Sequence, residues 1–212
     1  MQTAKQVVIK PSHDGELNMA TALRNNQKKW HNAPMKWSDL LKRLTKPIVT
    51  PESLPQYMKM TRTRQGEIKD VGGFVGGYLK GGRRTIETVQ SRSIICLDID
   101  YGKPHTWEDI KMIFDGAIAM YTTHKYTEGK PRMRILIPLK HPVKPDQYQA
   151  IARKLADLFG IEQFDDSTYA AERLMYWPSI SKGADYIFDY VDAAWLDPEE
   201  VLNEYLDWTD SS

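Results

Sequence analysis

Ser93-Ile94-Ile95-Cys96-Leu97-Asp98-Ile99-Asp100 is the stretch that decides the fold. Its run of apolar and β-branched residues predicts a buried strand over Ser93–Ile99. Side chains alternate along a strand, so Asp98 and Asp100 project to one face while Leu97 and Ile99 project to the other. Two carboxylates held together at the end of an apolar strand repel each other unless a cation joins them. Such oxygen ligands suit Mg²⁺ or Mn²⁺, and two ions about 3.5–4 Å apart clamp the attacking and leaving oxygens of a phosphoryl transfer. Taken alone, the pair reads equally well as a strand end ahead of the Gly102–Pro104 turn.

The elements downstream give the strand a setting. Thr106-Trp107-Glu108-Asp109 is like a capping box and predicts a helix to about Phe114, with Ile110, Ile113 and Phe114 on one face. Ala117–Thr122 reads as a second strand and Arg132–Pro138 as a third. Gly129 and Pro131 in the connection between them predict a hairpin. Pro145-Asp146 opens an amphipathic helix, with Tyr148, Ile151, Leu155, Leu158 and Phe159 at helical spacing and Gly160 as its stop. Leu174–Trp177 reads as a fourth strand. Residues 93–178 therefore read as β-α-β-β-α-β, the ferredoxin-like, RRM-like unit of an α+β protein: an antiparallel sheet with helices on one face and the other free for a site. That architecture hosts many functions and names none.

Upstream the pattern is mixed. Strands are predicted at Gln6–Ile9 and near Leu17–Leu23. Ser38 reads as the N-cap of a helix over Asp39–Leu44, and Thr50-Pro51 as the start of another through about Met58. The glycine-rich run 72–82 lacks the spacing and lysine of a phosphate-cradling loop. Alternation of Phe74, Gly76 and Tyr78 favours a strand closely crossed by another backbone. The organisation expected is an N-terminal α/β lobe over 1–90, an RRM-like lobe over 91–182 and an acidic C-terminal segment over 183–212.

Charge supports that division. The net charge is +1, but Gly183–Ser212 holds nine acidic residues and no Lys or Arg. The preceding 182 residues therefore carry 29 basic against 19 acidic side chains, a balance of +10. A basic body suggests a polyanionic partner. The single cysteine, Cys96, excludes an intrachain disulfide and a cysteine-rich zinc site. No stretch approaches the roughly 20 apolar residues of a membrane span, so the expectation is a cytoplasmic protein without a membrane partner.

Two further groups carry chemistry. Thr122 and His124 share a face, and His124 is followed by Lys125, Lys130, Arg132 and Arg134, a set suited to triphosphate or nucleic-acid phosphate. Phe164-Asp165-Asp166-Ser167 follows the amphipathic helix. A carboxylate there completes a metal site if the sheet brings it beside Asp98; otherwise the segment is a turn.

Together these motifs resemble the archaeo-eukaryotic primase superfamily, and more narrowly the primase-polymerase domains of phage and mobile-element replication proteins. Its D-x-D/E motif matches Asp98 and Asp100. Its S-x-H motif is met by Thr122 and His124, with threonine for serine. Its third motif, a hydrophobic residue followed by Asp, matches Phe164-Asp165, with Asp166 as the alternative register. Lys69–Phe74, Arg92-Ser93 and Arg173–Ser179 also look like the phage branch, and the resemblance covers roughly residues 60–180.

The resemblance implies a DNA primase/polymerase: a nucleotidyltransferase acting on NTP or dNTP along a single-stranded or primed DNA template in a bacterial host. Asp98, Asp100 and Asp165 would hold two Mg²⁺ or Mn²⁺ ions. His124, Lys125 and Arg134, with Thr122, Arg173 and Lys182, would bind the nucleotide. Arg62, Arg64, Lys80, Arg83, Arg84 and Arg132 are candidates for nucleic-acid phosphates. Such domains often accompany a replicative helicase, fused or separate, and no helicase phosphate loop occurs here. Two rivals are a replication-initiator nuclease, which would carry paired histidines, and a non-catalytic RRM-like nucleic-acid binder. The binder would expose aromatics where Asp98, Asp100, Thr122 and His124 stand.

Overall fold

Val89–Ile99 forms an 11-residue strand in the computed structural model, which describes residues 8–209. It is the fourth of five antiparallel strands, in the order Phe188–Val191, Ile118–Thr122, Met133–Val143, Val89–Ile99, Gly77–Leu79. The predicted hairpin is present, with Met133 opposite Thr122. Its second strand, the central one of the five, also places Arg134 opposite Asp98. The protein is a mixed α+β structure with several sheets.

Alternation along the long strand sorts its side chains into two cores. Ile95, Leu97 and Ile99 pack with Trp107, Ile110 and Phe114 of the Thr106–Ile113 helix region, and with Tyr148, Ile151, Leu155 and Phe159 of the Pro145–Phe159 helix. Both predicted helices therefore lie on one face, and Gly160 ends the second in the left-handed conformation at φ 96°. Ile94 and Cys96 belong to a second core with Trp37, Leu40, Phe74, Met175 and Trp177. The face expected to be free is thus largely covered by the N-terminal half. Burial of each such aliphatic side chain contributes about 1.5–3 kcal/mol, more than an exposed sheet face offers. What stays open is a cleft at the carboxyl end of Val89–Ile99.

Several local expectations are corrected. Leu174–Trp177 does not join the central sheet: Met175–Tyr176 pairs with Gly73–Val75 in a second sheet with Ala20–Ala22 and His31–Asn32. The place beside Val89–Ile99 is taken by Gly77–Leu79. These strands account for the glycines, since a Cβ on Gly73 would lie 2.5 Å from the Met175 carbonyl oxygen. Ser38 is inside the Trp37–Leu44 helix, and its N–H and hydroxyl both donate to the Asp14 carboxylate, at 2.9 and 2.7 Å. A remote carboxylate has replaced the local cap.

The second short helix runs over Leu54–Lys59 and is opened by a Ser53–Gln56 capping box, while Ile48–Thr50 pairs in parallel with Ser179–Ser181. The Leu17–Leu23 strand is split into Glu16–Leu17 and Ala20–Ala22. Of the predicted Gln6–Ile9 strand, residues 6 and 7 lie outside the described residues, and Val8 and Ile9 are not in a strand. The acidic end supplies the edge strand Phe188–Val191 and the helix Pro198–Leu202, whose start is capped by Asp197. Among the described residues no helix is long and apolar enough to cross a membrane.

Candidate active site

The end of Val89–Ile99 is tied to the segment that follows the long helix. Ile99 and Phe164 form an isolated antiparallel bridge, and the Asp165 N–H donates to the Asp98 carbonyl at 3.0 Å. Asp165 is thereby set beside Asp98. One of its oxygens accepts from the Ser167 N–H at 2.8 Å, capping the Asp166–Tyr169 turn. Asp165 lines the cleft and Asp166 does not, so of the two registers it is Asp165 that stands with the other carboxylates.

The cleft holds about 410 Å³ and brings Asp98, Asp100 and Asp165 against Lys69, Lys125, Arg132, Arg134 and Arg173. Each carboxylate has a guanidinium within reach. Arg132 donates to Asp100 at 3.1 Å, and Arg173 lies 3.5 Å from Asp98 and 3.9 Å from Asp165. Arg134 Nε is 3.6 Å from Asp98 Oδ1, too far for a hydrogen bond, and both atoms are buried without any such partner.

Crowding shifts the titrations. Burial, then the charge of Asp98, raises the Asp100 carboxyl above its ordinary range against the pull of Arg132. Burial and then Arg134 lower the Lys69 amine, and burial and then Arg132 lower that of Lys125. Burial is the largest single influence on Arg134 and opposes its charge, but Asp98, Tyr121 and Asp100 together outweigh it and the guanidinium stays firmly protonated.

The residues present fit a hard divalent cation. The donors are all carboxylate oxygens, and Asp98 Oδ1 is buried and unpartnered. Among the described residues, however, no three His, Cys, Asp or Glu side chains already converge as a metal-holding group. Asp98 and Asp100 share one strand face with Asp165 alongside, and arginines occupy the positions between them.

The opposite wall is built around His124. Its Nε2 lies 3.0 Å from Glu52 Oε1 and 3.1 Å from Ser181 Oγ, and its Nδ1 lies 2.9 Å from Ser179 Oγ. The Tyr57 ring packs on it at 4.3 Å between centroids. Burial lowers the imidazole pKa below its ordinary value, although Glu52 pulls the other way. Burial works against the Glu52 carboxylate too, but hydrogen bonds from Thr50, His124 and Ser181 keep its pKa below the ordinary value.

The remaining candidates divide. Arg62 lines the cleft. Arg84 lines an adjoining pocket of about 300 Å³ that shares Lys69, Asp98, Arg134 and Arg173 with it. Thr122 does not line it: the hydroxyl is fully buried and accepts from the Ile187 N–H at 3.0 Å, fastening the edge strand. Lys182 is not a lining residue either, and its N–H donates to the Glu52 carbonyl. Arg64 pairs with Glu67 on the surface, and Lys80 and Arg83 are exposed on the turn beyond Gly77–Leu79. Sequence reasoning passed over Lys69, Tyr57, Glu52 and Ser179 as site residues. Lys69 and Ser179 lay in quoted motifs; Glu52 had no local signal, because only the parallel pairing of Ile48–Thr50 with Ser179–Ser181 brings it in.

The chain belongs to the VapE N-terminal domain family, whose model matches residues 2–212. Among solved structures, the AEP domain of the cyanophage S-2L primase-polymerase is similar, at 14% identity over 89% of this chain and 88% of that one, with a TM-score of 0.46. No curated protein matches.

Proposed function

We propose that this chain is a primase-polymerase catalytic domain, with an RRM-like lobe, that joins nucleotides on a DNA template during phage or mobile-element replication. The observation that carries the reading is one cleft with Asp98, Asp100 and Asp165 facing six cationic side chains. Carboxylates for metal ions and cations for polyphosphate are the two halves of a nucleotidyl-transfer site.

Asp98 and Asp100, with Asp165, would hold Mg²⁺ or Mn²⁺. When bound, the ions would lower the pKa of an attacking 3′-hydroxyl and offset charge developing on the triphosphate. The chain's own part is electrostatic. Arg132, Arg134 and Arg173 stand beside the carboxylates, and with cations held on those oxygens the guanidinium groups would be available to phosphate. Arg–phosphate pairing is directional and charge-assisted, which orients the triphosphate. Lys69 and Lys125 add amines whose burial works against their charge and whose charged form a bound phosphate would favour. Single-stranded or primed DNA, NTP or dNTP and a helicase are the partners this reading implies.

The test is primer synthesis and extension on single-stranded DNA with Mg²⁺ or Mn²⁺. The double variant Asp98→Ala, Asp100→Ala should lose at least roughly 10³-fold of the rate, as expected when electrostatic stabilisation of the transition state is removed. Undiminished synthesis by the double variant overturns the assignment.

A further inference from the structure

Glu52, a half-buried side chain that lines a separate pocket, forms a hydrogen-bonded chain with His124 and Ser179 that ends at the cleft wall. Glu52 Oε1 receives Thr50 Oγ1 at 2.7 Å, Ser181 Oγ at 3.0 Å and His124 Nε2 at 3.0 Å. An ionised carboxylate only accepts, so Nε2 must carry the hydrogen that faces it. In the neutral ring Nδ1 is then an acceptor, and the single hydroxyl hydrogen of Ser179 is spent on it at 2.9 Å. Ser179 lines the cleft and in this state turns only lone pairs toward it, which a phosphate oxygen would repel. Protonation of Nδ1 reverses the bond: the ring donates to Ser179 Oγ, and the hydroxyl hydrogen is released toward the cleft.

We propose that Ser179 is a phosphate-contacting residue of this cleft and that Glu52 is its positioning residue, acting through His124, so that anion binding draws one proton onto the imidazole. The proposal rests on the nucleotide reading of the site and adds two residues to it. Three charged or titratable groups face the ring from the elements packed on it. Glu52 precedes the Leu54–Lys59 helix and favours the imidazolium; Lys69, at the end of the Arg62–Lys69 helix, opposes it; and Tyr57 contributes its ring face. Lys125 follows on the same turn. Ser179 and Ser181 on the neighbouring strand contribute hydroxyls. With the ring side chain 3% exposed, the proton does not simply exchange for a contact with water.

The experiment is nitrogen NMR of the His124 ring in the full chain near pH 7, without and with saturating inorganic triphosphate. The free protein should show a neutral ring protonated at Nε2, and triphosphate should convert it to the imidazolium. Ser179→Ala should weaken triphosphate binding on the order of tenfold, the loss of one charge-assisted hydrogen bond, and should abolish the conversion. Ser179→Thr should restore both. Glu52→Gln should leave the ring neutral on binding, which a merely structural contact would not predict. A free-state ring protonated at Nδ1, or triphosphate bound with the ring still neutral, overturns the proposal while leaving the nucleotide site standing. Failure of triphosphate to bind at all overturns both.

Discussion

Arg92 and Arg134 sit on adjacent paired strands, are almost wholly buried, and do opposite things. Arg92 is 0% exposed, and its Nε, Nη1 and Nη2 donate to the carbonyls of Gly76, Ala171 and Ile94 at 3.2, 2.5 and 3.2 Å. Its guanidinium lies 3.9 Å from the centroid of the Tyr148 ring. Among the described residues no carboxylate pairs with it. Arg134 donates once, to the Tyr176 carbonyl at 3.2 Å, and its Nε and the facing Asp98 Oδ1 are both left without a hydrogen bond. One cation is finished by the fold and the other is held incomplete. Burial of a charge therefore does not mark a site. Burial with bonding capacity left over does, because an unmet buried group is costly unless a ligand completes it.

The sharpest test of that contrast replaces each guanidinium with an apolar chain of similar length. Arg92→Met strips charge-assisted hydrogen bonds from three buried carbonyls and should cost about 3 kcal/mol of unfolding free energy in a urea titration. Its apparent affinity for Mn²⁺ should stay at the wild-type value. A stable Arg92→Met protein would break the comparison, because Arg92 would then be no more necessary to the fold than Arg134.

Arg134→Met should lose less, about 1 kcal/mol, since Arg173 remains 3.5 Å from Asp98. Its signature lies in ligand binding. With the competing cation removed, Mn²⁺ should bind the nucleotide-free protein several-fold more tightly, measured by calorimetry. Triphosphate should bind roughly tenfold more weakly through the lost charge-assisted bond. Unchanged affinity for both ligands would place Arg134 with Arg92 as a structural cation.

The two arginines also show where sequence reading runs out. Asp98, Asp100, the hairpin and the Pro145–Phe159 helix were legible because each is a local pattern: alternation, a turn signal, a 3.6-residue period and a glycine stop. The motif resemblance included Arg92 without a role for it, and its partners come from residues 76, 94 and 171, a set that only the folded chain assembles. Thr122 failed for a similar reason, since the Phe188–Val191 edge strand, drawn from an acidic segment with no strand signal read in it, is fastened through Ile187 to its hydroxyl. The fourth strand was real but docked elsewhere, because periodicity shows that residues are extended and not which edge they join. Glu52 lay in a stretch read as a helix start, where a backbone pairing between residues about 130 apart brings it to the residues behind the cleft wall.

The smallest effect distinguishes a finished side of the strand from an unfinished one without any ligand. Burial and the neighbouring Asp98 charge raise the Asp100 carboxyl above its ordinary 3.8, despite the 3.1 Å contact with Arg132. For an acid whose folded pKa is raised, the native state holds its proton more tightly than the unfolded chain. Its ionised form therefore subtracts stability at neutral pH, and that loss is relieved as pH falls through the raised folded value toward the unfolded one. Asp100→Asn should accordingly stabilise the metal-free protein at pH 7, by less than about 1 kcal/mol, as substitutions at strained functional positions do. The advantage should shrink steadily with acidification and vanish near the ordinary aspartate range. An Asn variant less stable than wild type at pH 7 would mean that Arg132 satisfies Asp100 as fully as the carbonyls satisfy Arg92, and that the cleft holds no stored repulsion for a cation to relieve.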